Sequence, residues 1–244
     1  MKITKQHIGY FLLISFAFIG LIGLIFSSPI PQNIDYHKFS DFITYFRISN
    51  FWNVISNLPF LIIGIMAIFK LNLFSKSKIQ YLLFFIGVSL VSFGSAYYHL
   101  TPNSETLIWD RLPMTVAFMA LVSILISEFI NLSLGKRLLV PLVTLGFLSI
   151  LYWILFDDLR FYFIIQFYPM VSIPIILLFF KSKKQSTKGY WILLLFYAIA
   201  KLLEIYDYQT HDMLSWISGH SLKHIAAAIG VWFLFKSYKS KILI

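Results

Sequence analysis

Long apolar stretches separated by short polar segments dominate the pattern of this 244-residue chain. Eight of them reach the roughly 20 residues that an α-helix needs to cross a bilayer. We therefore predict an all-α fold, a polytopic membrane helical bundle. Residues 36–47 form a short amphipathic segment, which we expect on the membrane surface before the second span. The predicted spans are 8–27, 51–70, 79–99, 107–131, 137–156, 161–180, 190–206 and 218–236.

The first apolar stretch follows Lys2 and Lys5, as the core of a signal peptide would. Its run over residues 8–26 is longer than a typical signal core, and no small-residue cleavage site follows it. We interpret it as an uncleaved span. The predicted organisation is an N-terminal transmembrane helix at residues 1–31, a possible signal anchor, and a single membrane domain at residues 32–244.

Composition agrees with a bilayer as the solvent for much of the chain. Hydrophobic residues make up 59% of the sequence and charged residues 12%, with a mean hydropathy of +0.81. A soluble domain carries about 25% charged residues. The chain has no cysteine, which excludes disulfides, thiolate catalysis and cysteine-ligated metals.

The positive charges indicate membrane topology rather than a nucleic-acid partner, although the net charge is +10. Lys and Arg accumulate in cytoplasmic loops. With eight spans, Lys38, Arg47 and Arg160 fall on one side, and most other basic residues fall on the opposite side. We therefore predict a multi-pass membrane protein with both termini in the cytoplasm. A bacterial inner membrane is the expected location, and a eukaryotic endomembrane is the alternative. The residues assigned to the cytoplasmic side are Lys2, Lys5, Lys70, Lys76, Lys78, Lys136, Arg137, Lys181, Lys183, Lys184, Lys188, Lys236, Lys239 and Lys241.

Ionisable residues inside spans are costly and therefore point to function. His99 ends the third predicted span, and Ser95 lies one turn before it. Asp110 opens the fourth span, and His220 and His224 open the eighth. The predicted topology places all five near the extracytoplasmic face.

The spacing of these residues favours a metal site. His220 and His224 are four residues apart, so both imidazoles project from one helix face and can chelate one zinc ion. Catalytic zinc usually has three protein ligands, and His99 is the natural third. Asp110 could then deprotonate an attacking water, while Ser95 donates to an oxyanion. Helix packing, a hydroxyl bonded to its own helix, or a helix cap would explain each motif alone, but the joint pattern favours metal binding.

A second polar set lies on the seventh span. Lys201 and Glu204 are three residues apart and are expected to pair, either as a structural ion pair or as part of the site. Asp207 is a candidate to accept a hydrogen bond from a zinc-binding histidine. Lys223 points away from both neighbouring histidines and is interpreted as a snorkelling or headgroup-contacting residue. The expected surface histidines are His7 and His37.

The chain resembles the alkaline ceramidase family at these residues, in its bacterial form. That family belongs to a superfamily of seven-helix membrane hydrolases that includes the adiponectin-receptor-like proteins. The matching motifs run from the second span to the last. They are Asn50-Phe51-Trp52-Asn53-Val54-Ile55-Ser56-Asn57, Gly94-Ser95 with His99-Leu100-Thr101, Asp110 with Leu112-Pro113-Met114, and His220-Ser221-Leu222-Lys223-His224.

The resemblance implies a zinc-dependent amidohydrolase that cleaves ceramide-like lipids into a sphingoid base and a fatty acid. It implies His99, His220 and His224 as zinc ligands, with Ser95 and Asp110 as catalytic residues. Spans two to eight would form the seven-helix core, with the first span an addition. Few carboxylates remain in residues 33–41, where family members bind calcium, and Asn50 stands where those members carry glutamate, so the resemblance implies zinc but leaves a calcium site open.

Two other functions fit the residues. One is a receptor-like or regulatory membrane protein that keeps zinc for structure alone. The other is a proton-coupled transporter that uses Asp110, Glu204 and the histidines as a relay. The expected partners are a lipid substrate and the bilayer, with no nucleic acid. The sequence pattern does not distinguish a monomer from an oligomer.

Overall fold

The computed structural model describes residues 4–74, 77–180 and 186–239, and most of these residues are helical, with no strand among them. The prediction of an all-α fold is confirmed. Lys2, Lys76, Lys181, Lys183, Lys184 and Lys241, which entered the topology prediction, lie outside the described residues. The helices are α1 (Lys5–Phe26), α2 (Phe51–Ile55), α3 (Leu58–Ile68), α4 (Lys78–Leu100), α5 (Ser104–Leu125), α6 (Leu132–Phe156), α7 (Arg160–Phe179), α8 (Lys188–Ile205), α9 (Asp207–Leu214) and α10 (Gly219–Lys239).

Two predicted spans are broken at identifiable residues. The second span divides into α2 and α3 at Ser56 and Asn57, because Pro59 has no N–H to continue the helical ladder. The seventh span ends at Ile205, and α8 and α9 meet there at an angle of 81°. The helix α5 continues as one π-helical turn over Ile126–Ile130.

Each of the eight predicted spans falls on a helix, but fewer helices have the composition of a span. Within the described residues, six are long and apolar enough to cross a membrane, or up to seven if α8 and α9 form one bent span. The helix α10 is not among them, because His220, Lys223 and His224 make its first turns polar. Several apolar helices of spanning length favour a multi-pass membrane protein, with an approximate rather than a fixed helix count.

The described residues group into two compact units. The first, called the α6–α7 unit, comprises Met1–Gln32, Phe74–Phe84 and Thr115–Thr187. In it α1 packs along α7, and the Asp158 carboxylate accepts hydrogen bonds from Ile30 N at 3.2 Å and Tyr152 Oη at 2.9 Å. The predicted boundary between residues 31 and 32 stays a prediction.

The second unit, called the α8–α10 unit, comprises Asn33–Leu73, Phe85–Met114 and Lys188–Ile244. In it α8 packs extensively along α10, and α3 also packs on α10. The segment 33–50 is a 3₁₀ turn at Ile34–His37 followed by irregular chain, with an isolated bridge between Tyr45 and Ile48. The amphipathic segment 36–47 is therefore mostly irregular chain, and its position on the membrane surface stays a prediction.

Candidate metal centre

Three histidines of the α8–α10 unit converge on one point. His99 comes from the last turn of α4, and His220 and His224 come from the first turns of α10. One ring nitrogen from each lies within 4.8 Å of the others. The ring centroids are separated by 4.9 Å for His99 and His220, and by 5.1 Å for each remaining pair. This is the convergence that the sequence spacing predicts.

The imidazoles are buried, and their polar atoms are incompletely paired. His99 is 1% exposed, and both of its ring nitrogens are buried without a hydrogen-bond partner. Burying an unpaired polar group costs about 1–3 kcal/mol. His220 and His224 are 6% and 7% exposed. A cation bound by the three rings would remove this cost at His99.

The donor set fits zinc. Neutral imidazole nitrogens are common zinc ligands, and three protein ligands are the usual set of a catalytic zinc ion. Calcium prefers six to eight oxygen ligands, which these residues do not supply. The residues that would hold a zinc ion are His99, His220 and His224.

Ser95 and Asp110 lie together, as their predicted roles require. Ser95 is 2% exposed, lies one turn before His99 on α4, and is a hydrogen-bond partner of the Asp110 carboxylate. The close approach depends on Gly94, because a Cβ there would overlap the carbonyl oxygen of Trp109. The helices α4 and α5 therefore touch backbone to backbone beside this pair.

Asp207 fixes the first turn of α10 through the backbone rather than through an imidazole. Its Oδ1 accepts a hydrogen bond from His220 N at 2.7 Å, and its Oδ2 accepts one from Ser40 N at 3.0 Å. A carboxylate at a helix N-terminus satisfies an amide that lacks a partner inside the helix. Asp207 thus ties segment 33–50 to the turn that carries His220.

Segment 33–50 contacts two of the three imidazoles through Phe39. The ring of Phe39 meets His99 and His220 edge to face, with centroid distances of 4.7 Å and 4.5 Å. His37 is half-buried, and its ring nitrogens bond Tyr98 Oη at 2.9 Å and Ser104 Oγ at 3.2 Å. The expectation of a surface position holds for His7, which is exposed, but is wrong for His37.

The lysine and glutamate residues beside the site form one ion cluster. The Glu204 carboxylate lies 2.6 Å from Lys201 Nζ and 2.6 Å from Lys223 Nζ. The predicted pairing of Lys201 with Glu204 is confirmed. Lys223 does not extend away as a snorkelling residue, and its charge acts electrostatically on Asp110 and on the three imidazoles.

A comparison with protein families agrees with this arrangement of residues. The family model described as Ceramidase matches residues 39–239, most of the chain. The chain belongs to the ceramidase family. No curated protein matches it. The resemblance read from the motifs is therefore confirmed at the level of the ceramidase family, whose matched region contains all five predicted site residues.

The sequence pattern did not predict the residues that hydrogen-bond to His224 and to the first turn of α10. Asn53 is fully buried, and its Oδ1 accepts hydrogen bonds from Ser218 at 3.3 Å and Ser221 at 2.7 Å. Ser56 Oγ lies 2.8 Å from His224 Nδ1. Both belong to the 50–57 motif that contributed to the resemblance. The sequence therefore contained the signal, but it did not indicate which contacts these residues make.

Proposed function

We propose that this chain is a membrane-integral, zinc-dependent hydrolase that cleaves the amide bond of ceramide-like lipids, releasing a sphingoid base and a fatty acid. Membership of the ceramidase family supports ceramide hydrolysis and a lipid substrate. The observation that carries the proposal is the convergence of three buried imidazoles next to the paired Ser95 and Asp110. A zinc ion held by these imidazoles would supply Lewis-acid polarisation of the amide carbonyl and activation of water.

Asp110 is the proposed general base. Its carboxylate takes a proton from the attacking water as the water oxygen bonds to the amide carbon. The same carboxyl group then returns that proton to the leaving nitrogen as the C–N bond breaks. The water's oxygen and one proton finish on the fatty acid, and the other proton finishes on the amine.

Ser95 is the proposed oxyanion donor. Its hydroxyl donates to the carbonyl oxygen when negative charge develops there, and a donor in this role is worth about 10²–10³ in rate. In the free protein the hydroxyl interacts with Asp110. The hydrogen bond therefore keeps both groups in place until the substrate arrives.

Metal analysis and turnover together test the proposal. Purified protein is expected to hold zinc and to release fatty acid from a ceramide with a labelled acyl chain. His220→Ala should lose both properties, whereas His7→Ala should keep both because His7 is exposed on α1, outside the site. Wild-type protein without bound zinc would contradict the proposal, and zinc without turnover would favour the receptor-like alternative.

We also propose that the termini are cytoplasmic and that the site faces the outside of a bacterial inner membrane. The absence of cysteine makes this directly measurable. In cells, a membrane-impermeant maleimide should label Thr101→Cys, at the exposed end of α4, and should leave Ser186→Cys unlabelled. The reverse labelling pattern would invert the proposed topology.

A further inference from the structure

One ring nitrogen of the three histidines has a hydrogen-bond partner among the described residues. His224 Nδ1 lies 2.8 Å from Ser56 Oγ, and neither group is open to solvent. Both ring nitrogens of His99 lack such a partner. The three imidazoles are therefore not equivalent, and His224 is the one whose orientation another side chain controls.

The direction of this hydrogen bond follows from counting protons. A serine hydroxyl has one proton to donate. Ser56 donates it to the backbone carbonyl of Asn53, at 3.2 Å. With that proton on the Asn53 carbonyl, Ser56 Oγ accepts from His224, and we assign the imidazole proton to Nδ1 on this basis. In a neutral ring this leaves Nε2 with the free electron pair.

The backbone around Ser56 is itself held in place. Ser56 caps the C-terminus of α2, at the break between α2 and α3. Asn53, one turn earlier, is bound to Ser218 and Ser221 at the start of α10, and Asn57 Nδ2 donates to the Asn53 carbonyl at 2.8 Å. The hydroxyl is consequently aimed at α10 by contacts that do not involve His224.

We propose that Ser56 is a positioning residue, whose hydroxyl fixes His224 as the Nδ1-protonated tautomer and so reserves Nε2 for the metal ion. This inference rests on the proposed zinc site. It also gives the break between α2 and α3 a role, because Ser56 lies at that break. Hydrogen bonds of this kind to metal-binding histidines are worth about 10–100-fold in metal affinity.

The test measures zinc affinity by chelator competition, independently of turnover. Ser56→Ala should bind zinc about 10–100-fold more weakly than wild type. Ser56→Thr retains the hydroxyl and should restore most of the affinity. Ser89→Ala is the matched control, because Ser89 is also buried in this unit but donates only to the Phe85 carbonyl of its own helix, at 2.9 Å.

A spectroscopic measurement separates positioning from general stability. Cobalt substituted for zinc should show a changed visible absorption spectrum in Ser56→Ala, while the spectra of Ser56→Thr and Ser89→Ala match wild type. If Ser56→Ala does not fold, ¹⁵N-histidine NMR of wild type, assigned with His224→Ala, should show a protonated Nδ1 at His224. A metal-bound Nδ1 would overturn the inference.

The outcomes distinguish the inference from the function on which it rests. If wild-type protein binds no zinc, the proposed function fails. If wild type binds zinc and Ser56→Ala binds it equally tightly, only the role of Ser56 fails. Loss of affinity in Ser56→Ala with no recovery in Ser56→Thr would also count against the hydroxyl.

Discussion

Each of the two compact units buries a polar cluster, and the two clusters differ in whether their central side chain has hydrogen-bond partners. In the α6–α7 unit, Asp158 is 1% exposed, and its carboxylate receives hydrogen bonds from Arg160, Tyr152 and Ile30. In the α8–α10 unit, His99 is equally buried and both ring nitrogens lack partners. A cluster closed by its own hydrogen bonds stabilises the fold, whereas one with unpaired donors or acceptors is prepared for a ligand.

The largest expected difference between the units concerns their acids. Asp110→Asn should reduce kcat about 10²–10⁴-fold, because the amide cannot accept the proton of the attacking water. Glu128→Gln in the α6–α7 unit should leave turnover unchanged, since Glu128 accepts from Tyr81 outside the site. Ceramide hydrolysis by both variants, at equal bound zinc, measures the contrast. Equal rates would remove Asp110 from the mechanism.

The serines offer a smaller contrast. Ser95→Ala should lower kcat about 10²–10³-fold through loss of the oxyanion donor. Ser123→Ala removes a buried hydroxyl that donates to the Gly135 carbonyl at 2.8 Å. That variant should keep its kcat and lose about 1 kcal/mol of unfolding free energy. If Ser95→Ala changed only stability, Ser95 would belong with Ser123 as a structural residue.

Asp158 should show the opposite profile, with an effect on stability alone. Burial raises the pKa of this carboxyl, but hydrogen bonds from Arg160, Ile30 and Tyr152 together hold its pKa well below the usual 3.8. The charged form therefore stabilises the fold above pH 3.8, and this contribution is lost as the pH falls toward the lowered pKa. Asp158→Asn should reduce the unfolding free energy by about 3 kcal/mol. Thermal unfolding in detergent measures this, and turnover per folded molecule should not change.

The smallest expected effect concerns His37 in segment 33–50. Burial, and then the positive charge of Arg111, lower the pKa of His37 below 6.5. Protonation is thus easier in the unfolded chain, so the contribution of His37 is present above pH 6.5 and falls below it. Below pH 6.5, the opening free energy of residues 33–50, obtained from hydrogen exchange corrected for the intrinsic exchange rate at each pH, should fall by about 1 kcal/mol, the net worth of a hydrogen bond.

Two variants decide whether His37 is the cause. His37→Gln should remove the pH dependence of the opening free energy in residues 33–50. His7→Gln should preserve it, because His7 lies in the capping box of α1, away from this segment. An opening free energy that is the same at pH 7 and pH 5 in wild type would contradict the prediction.

The sequence predicts helices and the histidine set well because both depend on local spacing. Apolar length located the long helices but not the short polar helix α9, and the four-residue spacing placed His220 and His224 on one face. The break at Ser56 and the contact between Ser56 and His224 were not predictable. They depend on a backbone turn and on packing between residues 168 positions apart, which periodicity does not encode.

Position 94 has no room for a side chain larger than that of glycine. The hydrogen atom of Gly94 is all that separates α4 from the Trp109 carbonyl, one residue before Asp110. Any replacement would push the helices apart and carry the acid away from its serine. A saturation library selected for turnover should therefore return glycine at 94 and a wide choice at Phe93, which is 59% exposed.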